Sequence, residues 1–258
     1  TAYLTRVLVE RHLGMEAVGI YTATWTLSTY YVGFVLIAMG TDFMPRLTGV
    51  AQDHERLNLL VNEQTEMGVL IAVPGVLATL TLAPWVMHIF YSSAFVQGAD
   101  VVRWQILGVF LRVVSWPLGY VLVAKGKSLL FTIIELIFGL VSVVSILMCM
   151  KLWSLNGVGV DFAISYLVYT LIMIFVVWRL TGFRWSAMAL KIFTPVVLVL
   201  AGTFAGMRFL PEFWGVCLGL TLTVLTGAAS LLILQKLLDV NLLERLRVKL
   251  GLAGKIHG

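Results

Sequence analysis

The sequence predicts an all-α, polytopic membrane helix bundle, and three observations predict it. The chain of 258 residues is 60% hydrophobic and only 12% charged, whereas soluble domains carry about 25% charged residues. Its mean hydropathy is +0.98. Seven apolar stretches, at 17–41, 67–91, 102–124, 128–150, 162–178, 192–207 and 213–235, approach or exceed the ~20 residues that span a hydrocarbon core. No alternating barrel pattern appears, and the uncharged runs are too long for barrel strands.

Each element has its own justification. Residues 1–14 read as the outer end of a helix whose beginning lies before Thr1, so the chain is expected to be the second half of a longer polypeptide. The first full span, 17–41, is closed by Pro45, and 45–66 reads as a loop. The second span carries Pro74 and Pro84, the third Pro117 and the sixth Pro195. Proline is tolerated in membrane helices where neighbours or cavity water satisfy the freed carbonyls. These four read either as ordinary kinks or as hinges for a rocking motion. Asn156-Gly157-Val158-Gly159 breaks the chain before the fifth span, and Pro211 separates the last two. Residues 237–249 interleave Leu and Val with Glu244, Arg245, Arg247 and Lys249, the pattern of an amphipathic helix at the interface. The expected organisation is a lobe at 1–185, an additional helix pair at 186–236 and a cytoplasmic amphipathic tail at 237–258.

The net charge of +5 is no nucleic-acid signal, since Lys and Arg are scattered through short loops without a basic patch. They report topology. If 45–66 is cytoplasmic, Arg46, Arg56, Lys125, Lys127, Arg179, Arg184, Lys191, Lys236, Arg245, Arg247, Lys249 and Lys255 lie inside. Arg6, Arg11, Arg103, Lys151 and Arg208 remain outside. This asymmetry puts the C-terminus in the cytoplasm. The two cysteines, Cys149 and Cys217, read as buried free thiols, with a disulfide as the alternative. The sequence has no CxxC, no His/Cys metal spacing and no secretory signal peptide, so no metal and no cofactor is expected.

Charge at membrane depth is the functional signal. Arg112 and Glu135 sit within uncharged runs, where a charge costs ~2.5–3.5 kcal/mol on insertion-derived scales. Each heads a seam of residues spaced by three and four, which share a helix face. Gln105, Gly108, Arg112, Ser115 and Gly119 form one. Ser128, Thr132, Glu135, Gly139 and Ser142 form another. Thr22, Thr26, Thr29, Gly33 and Gly40 mark the first span, and Asp161, Ser165 and Tyr169 the fifth. Small polar seams also serve helix packing, but packing needs neither Arg nor Glu. A hydrated cavity is therefore favoured. The depths of Arg112 and Glu135 differ by ~7 Å at 1.5 Å per residue, close enough for a contact. That contact reads either as a structural ion pair or as an anion site at Arg112 with Glu135 as counter-ion. The last two spans carry Gly202/Gly206 and Gly215/Gly219, two GxxxG motifs that favour close helix pairing.

A family resemblance rests on these residues. Leu13-Gly14-Met15-Glu16-Ala17-Val18-Gly19-Ile20-Tyr21 resembles the start of the eighth helix of Wzx-type oligosaccharide flippases, members of the multidrug/oligosaccharidyl-lipid/polysaccharide (MATE-like) exporter superfamily. Pro45-Arg46-Leu47-Thr48 resembles the Pro-x-Leu-Ser/Thr that closes that helix. Trp104-Gln105, Gly108, Leu111-Arg112, Ala124-Lys125 and Glu135 resemble the O-antigen and enterobacterial-antigen translocase branch, with its basic residue at Arg112 and acid at Glu135. The resemblance covers residues 1–185. It implies a two-lobed, V-shaped inner-membrane transporter with a central cavity, this chain being the second lobe and 192–235 the added helices thirteen and fourteen. It implies flipping of undecaprenyl-pyrophosphate-linked oligosaccharide from the cytoplasmic to the periplasmic leaflet, with membrane lipids, a glycan polymerase and glycosyltransferases as partners. Arg suits pyrophosphate through its planar fork. Gln105, Ser115, Trp116, Tyr120 and Asp161 offer amide, hydroxyl, aromatic and carboxylate surfaces for sugar and translocation.

Two rivals share these features in part. A drug or metabolite antiporter of the same superfamily would keep the fold and change the substrate. A membrane-embedded glycan polymerase or ligase would need catalytic residues on a large outer loop, but the connections 91–100, 151–160 and 208–212 are short and His88 reads as interfacial. A non-transporting scaffold would need neither Arg112 nor Glu135.

Overall fold

The computed structural model of the protein describes residues 2–249, and the side chains of all of these but 2, 31, 34, 38 and 238–249. Eight α-helices follow in order: α1 (Ala2–Leu13), α2 (Met15–Gly49), α3 (His54–Phe90), α4 (Ala99–Ala124), α5 (Ser128–Trp153), α6 (Asn156–Thr181), α7 (Ala187–Phe209) and α8 (Glu212–Lys249), with a 3-10 turn at Ser93–Gly98 before α4. No strand occurs among the described residues. Six helices are long and apolar enough to cross a membrane. A seventh span is bent: Met15–Ile37 and Met39–Gly49 meet at 44° within α2. The seven expected spans are thus six helices and one bent pair.

Three boundaries differ from the sequence expectation. The N-terminal segment is the separate helix expected, set off from α2 by Gly14 at φ 86°, a conformation open to glycine; the break expected at Asn156–Gly159 is instead the first turn of α6. The expected loop 45–66 is mostly helix, since α2 runs to Gly49 and α3 starts at His54. Asp53 caps that start, its carboxylate accepting the Arg56 N–H at 3.1 Å, as N-cap aspartates do. At the C-terminus α8 continues without a break to Lys249. The face that 238–249 presents, and residues 250–258, lie outside the described residues.

α4 is the hub, packing against α2, α3 and α6. The burial gradient follows: 67% of the α4 span is buried but only 11% of the α5 and α8 spans. α5 therefore presents Leu129, Leu136, Leu140 and Met148 outward. In a bilayer such helices associate by close packing and not by apolar burial. α4 and α6 approach closely because glycines meet there. A Cβ on Gly108 would strike the Phe162 ring, and one on Gly159 would lie 2.9 Å from Trp104 Cβ. The GxxxG pair divides its work. Gly206 and Gly215 face across α7 and α8, while Gly219 packs on Thr81 of α3. Cys149 and Cys217 are both free thiols, and neither is buried as expected: Cys149 is half-buried and Cys217 exposed.

A polar clamp fastens the start of α7 to α3. Asn58, Asn62 and Glu66 follow an i, i+4, i+8 line on α3. Asn58 donates to the Thr181 carbonyl at 3.1 Å and accepts from the Thr181 hydroxyl at 2.8 Å. Asn62 donates to the Arg184 carbonyl at 3.1 Å and accepts the Ser186 N–H at 2.8 Å. The Ser186 hydroxyl donates to Glu66 at 2.6 Å and accepts the Ala189 N–H, capping α7. Asn62→Ala strands two backbone groups at once. A fully buried unpaired group costs about 1–3 kcal/mol and these part-buried ones less, so the variant is expected to unfold at a lower temperature in detergent, and Asn62→Asp, which keeps an acceptor for Ser186, less so. Unchanged melting of the alanine variant would show that the clamp carries no stability.

Candidate functional site: a polar seam between α4, α5 and α6

Most of the predicted site residues gather where α5 leans on α6 and stands away from α4. A cavity of about 260 Å³ is lined by Arg112, Ser115, Trp116, Gly119 and Tyr120 of α4, Phe131, Glu135 and Phe138 of α5, and Tyr166 and Tyr169 of α6. Five of the seven predicted site residues, Arg112, Glu135, Ser115, Trp116 and Tyr120, meet here. Buried Phe43 of α2 packs on Trp116 and Tyr120, and their own rings lie 4.4 Å apart. Gly40 makes room for that wall, since a Cβ there would lie 3.0 Å from Trp116 and 3.2 Å from the Tyr120 hydroxyl. Ser115 donates to the Arg112 carbonyl at 3.3 Å, so its hydroxyl also serves its own helix.

The expected Arg112–Glu135 contact is not a direct ion pair. No such pair within 4.0 Å occurs among the described residues. The Glu135 carboxylate instead accepts from the Tyr169 hydroxyl at 2.5 Å. The reason is helix packing: α5 lies against α6 far more than against α4, so the nearest donor is on α6. Arg112 therefore reaches the cavity with Glu135 across it and engaged elsewhere. A guanidinium offers five N–H donors in a planar fork.

Gln105 and Asp161, the other two predicted residues, lie together in a second cavity with room of about 80 Å³, enough for a few waters. Gln105 accepts from Ser28 at 3.0 Å, and its amide nitrogen has no partner among the described residues. Asp161 accepts from the hydroxyls of Ser145 and Ser165. Phe138 and Tyr166 line both cavities, their rings edge-to-face at 5.7 Å. The seam is thus one polar track interrupted by an aromatic pair. Among the described residues no group of three or more His, Cys, Asp or Glu is placed to hold a metal ion.

The predicted α2 seam divides: Gly40 packs against the Trp116–Tyr120 wall, but its threonines do not reach the site residues. Thr26 and Thr29 bond to their own helix carbonyls at 2.9 and 2.6 Å, while Thr24 and Ser28 are fully buried and Ser28 reaches Gln105. Tyr166, Phe138 and Ser145 were also missed. The Asp161/Ser165/Tyr169 spacing holds, and Ser145 on α5 carried a signal as the polar residue three after Ser142.

Three comparisons bear on this geometry. Residues 1–100 match the protein family described as "Polysaccharide biosynthesis protein". The chain is 21% identical over 188 residues to the lipid III flippase of Escherichia coli (strain K12), which covers 68% of this chain and 42% of that protein. The lipid III flippase of Shigella flexneri matches to the same extent. The chain therefore spans less than half the length of these curated relatives. Among solved structures it resembles lipid II flippase MurJ in its inward closed conformation, with a TM-score of 0.58 and 15% identity over 91% of this chain and 53% of that one. At this identity the likeness is one of fold.

Proposed function

We propose that this chain is one lobe of a transporter that flips undecaprenyl-pyrophosphate-linked oligosaccharide between leaflets, from cytoplasm to periplasm, in polysaccharide or O-antigen synthesis. The observation that carries the reading is Arg112, a cation at mid-span in a cavity walled by Trp116, Tyr120, Tyr166 and Tyr169. Guanidinium forks bind pyrophosphate oxygens in bidentate fashion, and aromatic faces with hydroxyls suit sugar. The names of the flippases that the chain resembles support the substrate class. The chemistry is movement, not catalysis. Opposed rocking of two lobes around a midplane site, the usual build of such transporters, would expose the cavity to one side and then the other. The Lys/Arg asymmetry supports a cytoplasmic C-terminus, and the flippase reading implies an inner-membrane location. A drug or metabolite antiporter would use the same cavity, but a permanent cation there disfavours cationic drugs.

The test uses the native-length protein in proteoliposomes carrying a lipid-linked oligosaccharide pyrophosphate. Protein-dependent loss of the sugar from the face where an added glycosidase acts is expected. Transport of a cationic dye without any movement of the lipid-linked sugar would overturn the reading.

Orientation has its own test. In a cysteine-free background, Cys at exposed Gln52 should be protected from an impermeant thiol reagent in intact cells, and Cys introduced at Asn156 should be labelled. The reverse pattern would invert the topology.

A further inference from the structure

A separate charged site lies at the bundle end where α4, α6 and α8 begin and α5 and α7 finish. Two cavities meet there. One, of about 350 Å³, is lined by Asp100, Arg103, Trp104, Trp153, Phe204 and Arg208, among others. Its neighbour, of about 370 Å³, shares Asp100, Arg103 and Met207 and adds Glu212 and Gln97. Each is of the size that small ligands occupy. Arg103 is the fixed element. It donates to Asp100 at 2.9 Å and to the Leu80 carbonyl at 3.3 Å, and its side chain is only 15% exposed. Arg208 reaches the other Asp100 oxygen at 4.0 Å from the far rim and is 70% exposed.

The charges are unequally shared. The first cavity has two guanidinium groups and one carboxylate, hence an excess of one positive charge. The second has Asp100 and Glu212 against Arg103, an excess of one negative charge. The dividing wall is the Asp100–Arg103 pair itself. Trp104 lies edge-on to Phe204 at 4.7 Å, and with Trp153 it supplies the amphipathic rings that settle at headgroup depth. Two cavities of opposite charge thus lie side by side at this end of the bundle, outside the seam around Arg112.

We propose that this double cavity binds a zwitterionic phosphate–ammonium group of the phosphoethanolamine type. The phosphate lies against Arg208 and the free edge of Arg103, and the primary ammonium donates to Glu212 and Asp100. A primary ammonium brings three N–H donors to these carboxylates, and both halves then form charge-assisted hydrogen bonds. A quaternary ammonium offers no donor, and an anionic glycerol headgroup leaves Glu212 unanswered. The source is either the headgroup of a bilayer lipid or free phosphoethanolamine.

The test is native mass spectrometry of the intact protein released from nanodiscs. These contain equimolar dioleoyl-phosphatidylethanolamine, -phosphatidylglycerol and -phosphatidylcholine. The expected result is preferential retention of the ethanolamine lipid. Arg208→Gln should lower that retention by ~10-fold, as loss of a charge-assisted hydrogen bond does. Glu212→Gln should abolish the preference over the choline lipid. Both side chains sit at helix ends, and unchanged thermal unfolding of each variant will separate binding from folding. Competition by millimolar free phosphoethanolamine would identify the soluble source, and its failure to compete the lipid source. Equal retention of the three lipids, preference for the glycerol lipid, or variants that retain the ethanolamine lipid like the parent would overturn the proposal.

Discussion

Arg112→Met is expected to stop transport while leaving the protein folded in the membrane. The geometry separates these two effects. Were Arg112 the ion-pair partner of Glu135, its removal would leave an uncompensated carboxylate at membrane depth and destabilise the inserted helix pair. Glu135 instead has its hydrogen bond from Tyr169 at 2.5 Å, so it keeps a partner when Arg112 goes. Loss of hydrogen bonds to a charged ligand costs about 1.5–3 kcal/mol each, which is ~10–100-fold in affinity at 1.4 kcal/mol per tenfold. Arg112→Lys should retain part of the activity, because charge survives while the bidentate fork is lost. The check is glycan flipping in proteoliposomes beside thermal unfolding in detergent. Parent-like transport by Arg112→Met would remove the residue from the site.

The second large effect concerns the frame that holds the cavity. Gly108→Val is expected to abolish stable folding. Even a Cβ at this position would enter the Phe162 ring and lie 3.0 Å from the Phe162 carbonyl oxygen, so the backbones of α4 and α6 must separate. Ordinary overpacking costs about 1–3 kcal/mol where side chains can yield; here part of the obstacle is backbone. Phe162 also lines the Asp161 cavity, so separation of the helices would open the polar seam. Gly33→Ala is the matched control, since open space surrounds a Cβ there. Yield of monodisperse protein after extraction measures both. A well-folded Gly108→Val protein with parent-like melting would refute the close-packing account.

Much of this was legible because membrane insertion leaves a strong mark on sequence. Long uncharged runs announced the spans, and charges within them stood out as exceptions. Arg112 and Glu135 stood out that way, and Ser115 followed from helical spacing around Arg112, while Trp116 and Tyr120 entered only as surfaces for the sugar that the family resemblance implies. What stayed hidden was part of the rotational phase of α2 and the choice of partner. On α2, threonines at 22, 26 and 29 and the buried pair Thr24 and Ser28 give equally good polar stripes. A hydroxyl can satisfy itself on its own helix carbonyl, so its presence does not reveal a face. Depth alone brought Arg112 and Glu135 near each other, but depth carries no information on which helix α5 leans against. That choice gave Glu135 to Tyr169. The clamp of Asn58, Asn62 and Glu66 went unseen because 45–66 read as a loop, although Asp53 offered a helix start.

The central claim is that Arg112 holds the pyrophosphate of a lipid-linked sugar, and binding to the double variant Arg112→Met/Glu135→Gln tests it most directly. After Glu135→Gln the side-chain carbonyl oxygen can still accept from Tyr169, and neither change leaves an unpaired charge in the cavity, so the variant should melt like the parent. Retention of a lipid-linked oligosaccharide pyrophosphate by the native-length protein would be measured for both, with the same lipid lacking pyrophosphate as reference. The account predicts that the parent prefers the pyrophosphate form and that the double variant loses this preference while remaining folded. A folded double variant that binds the pyrophosphate form as tightly as the parent would contradict it.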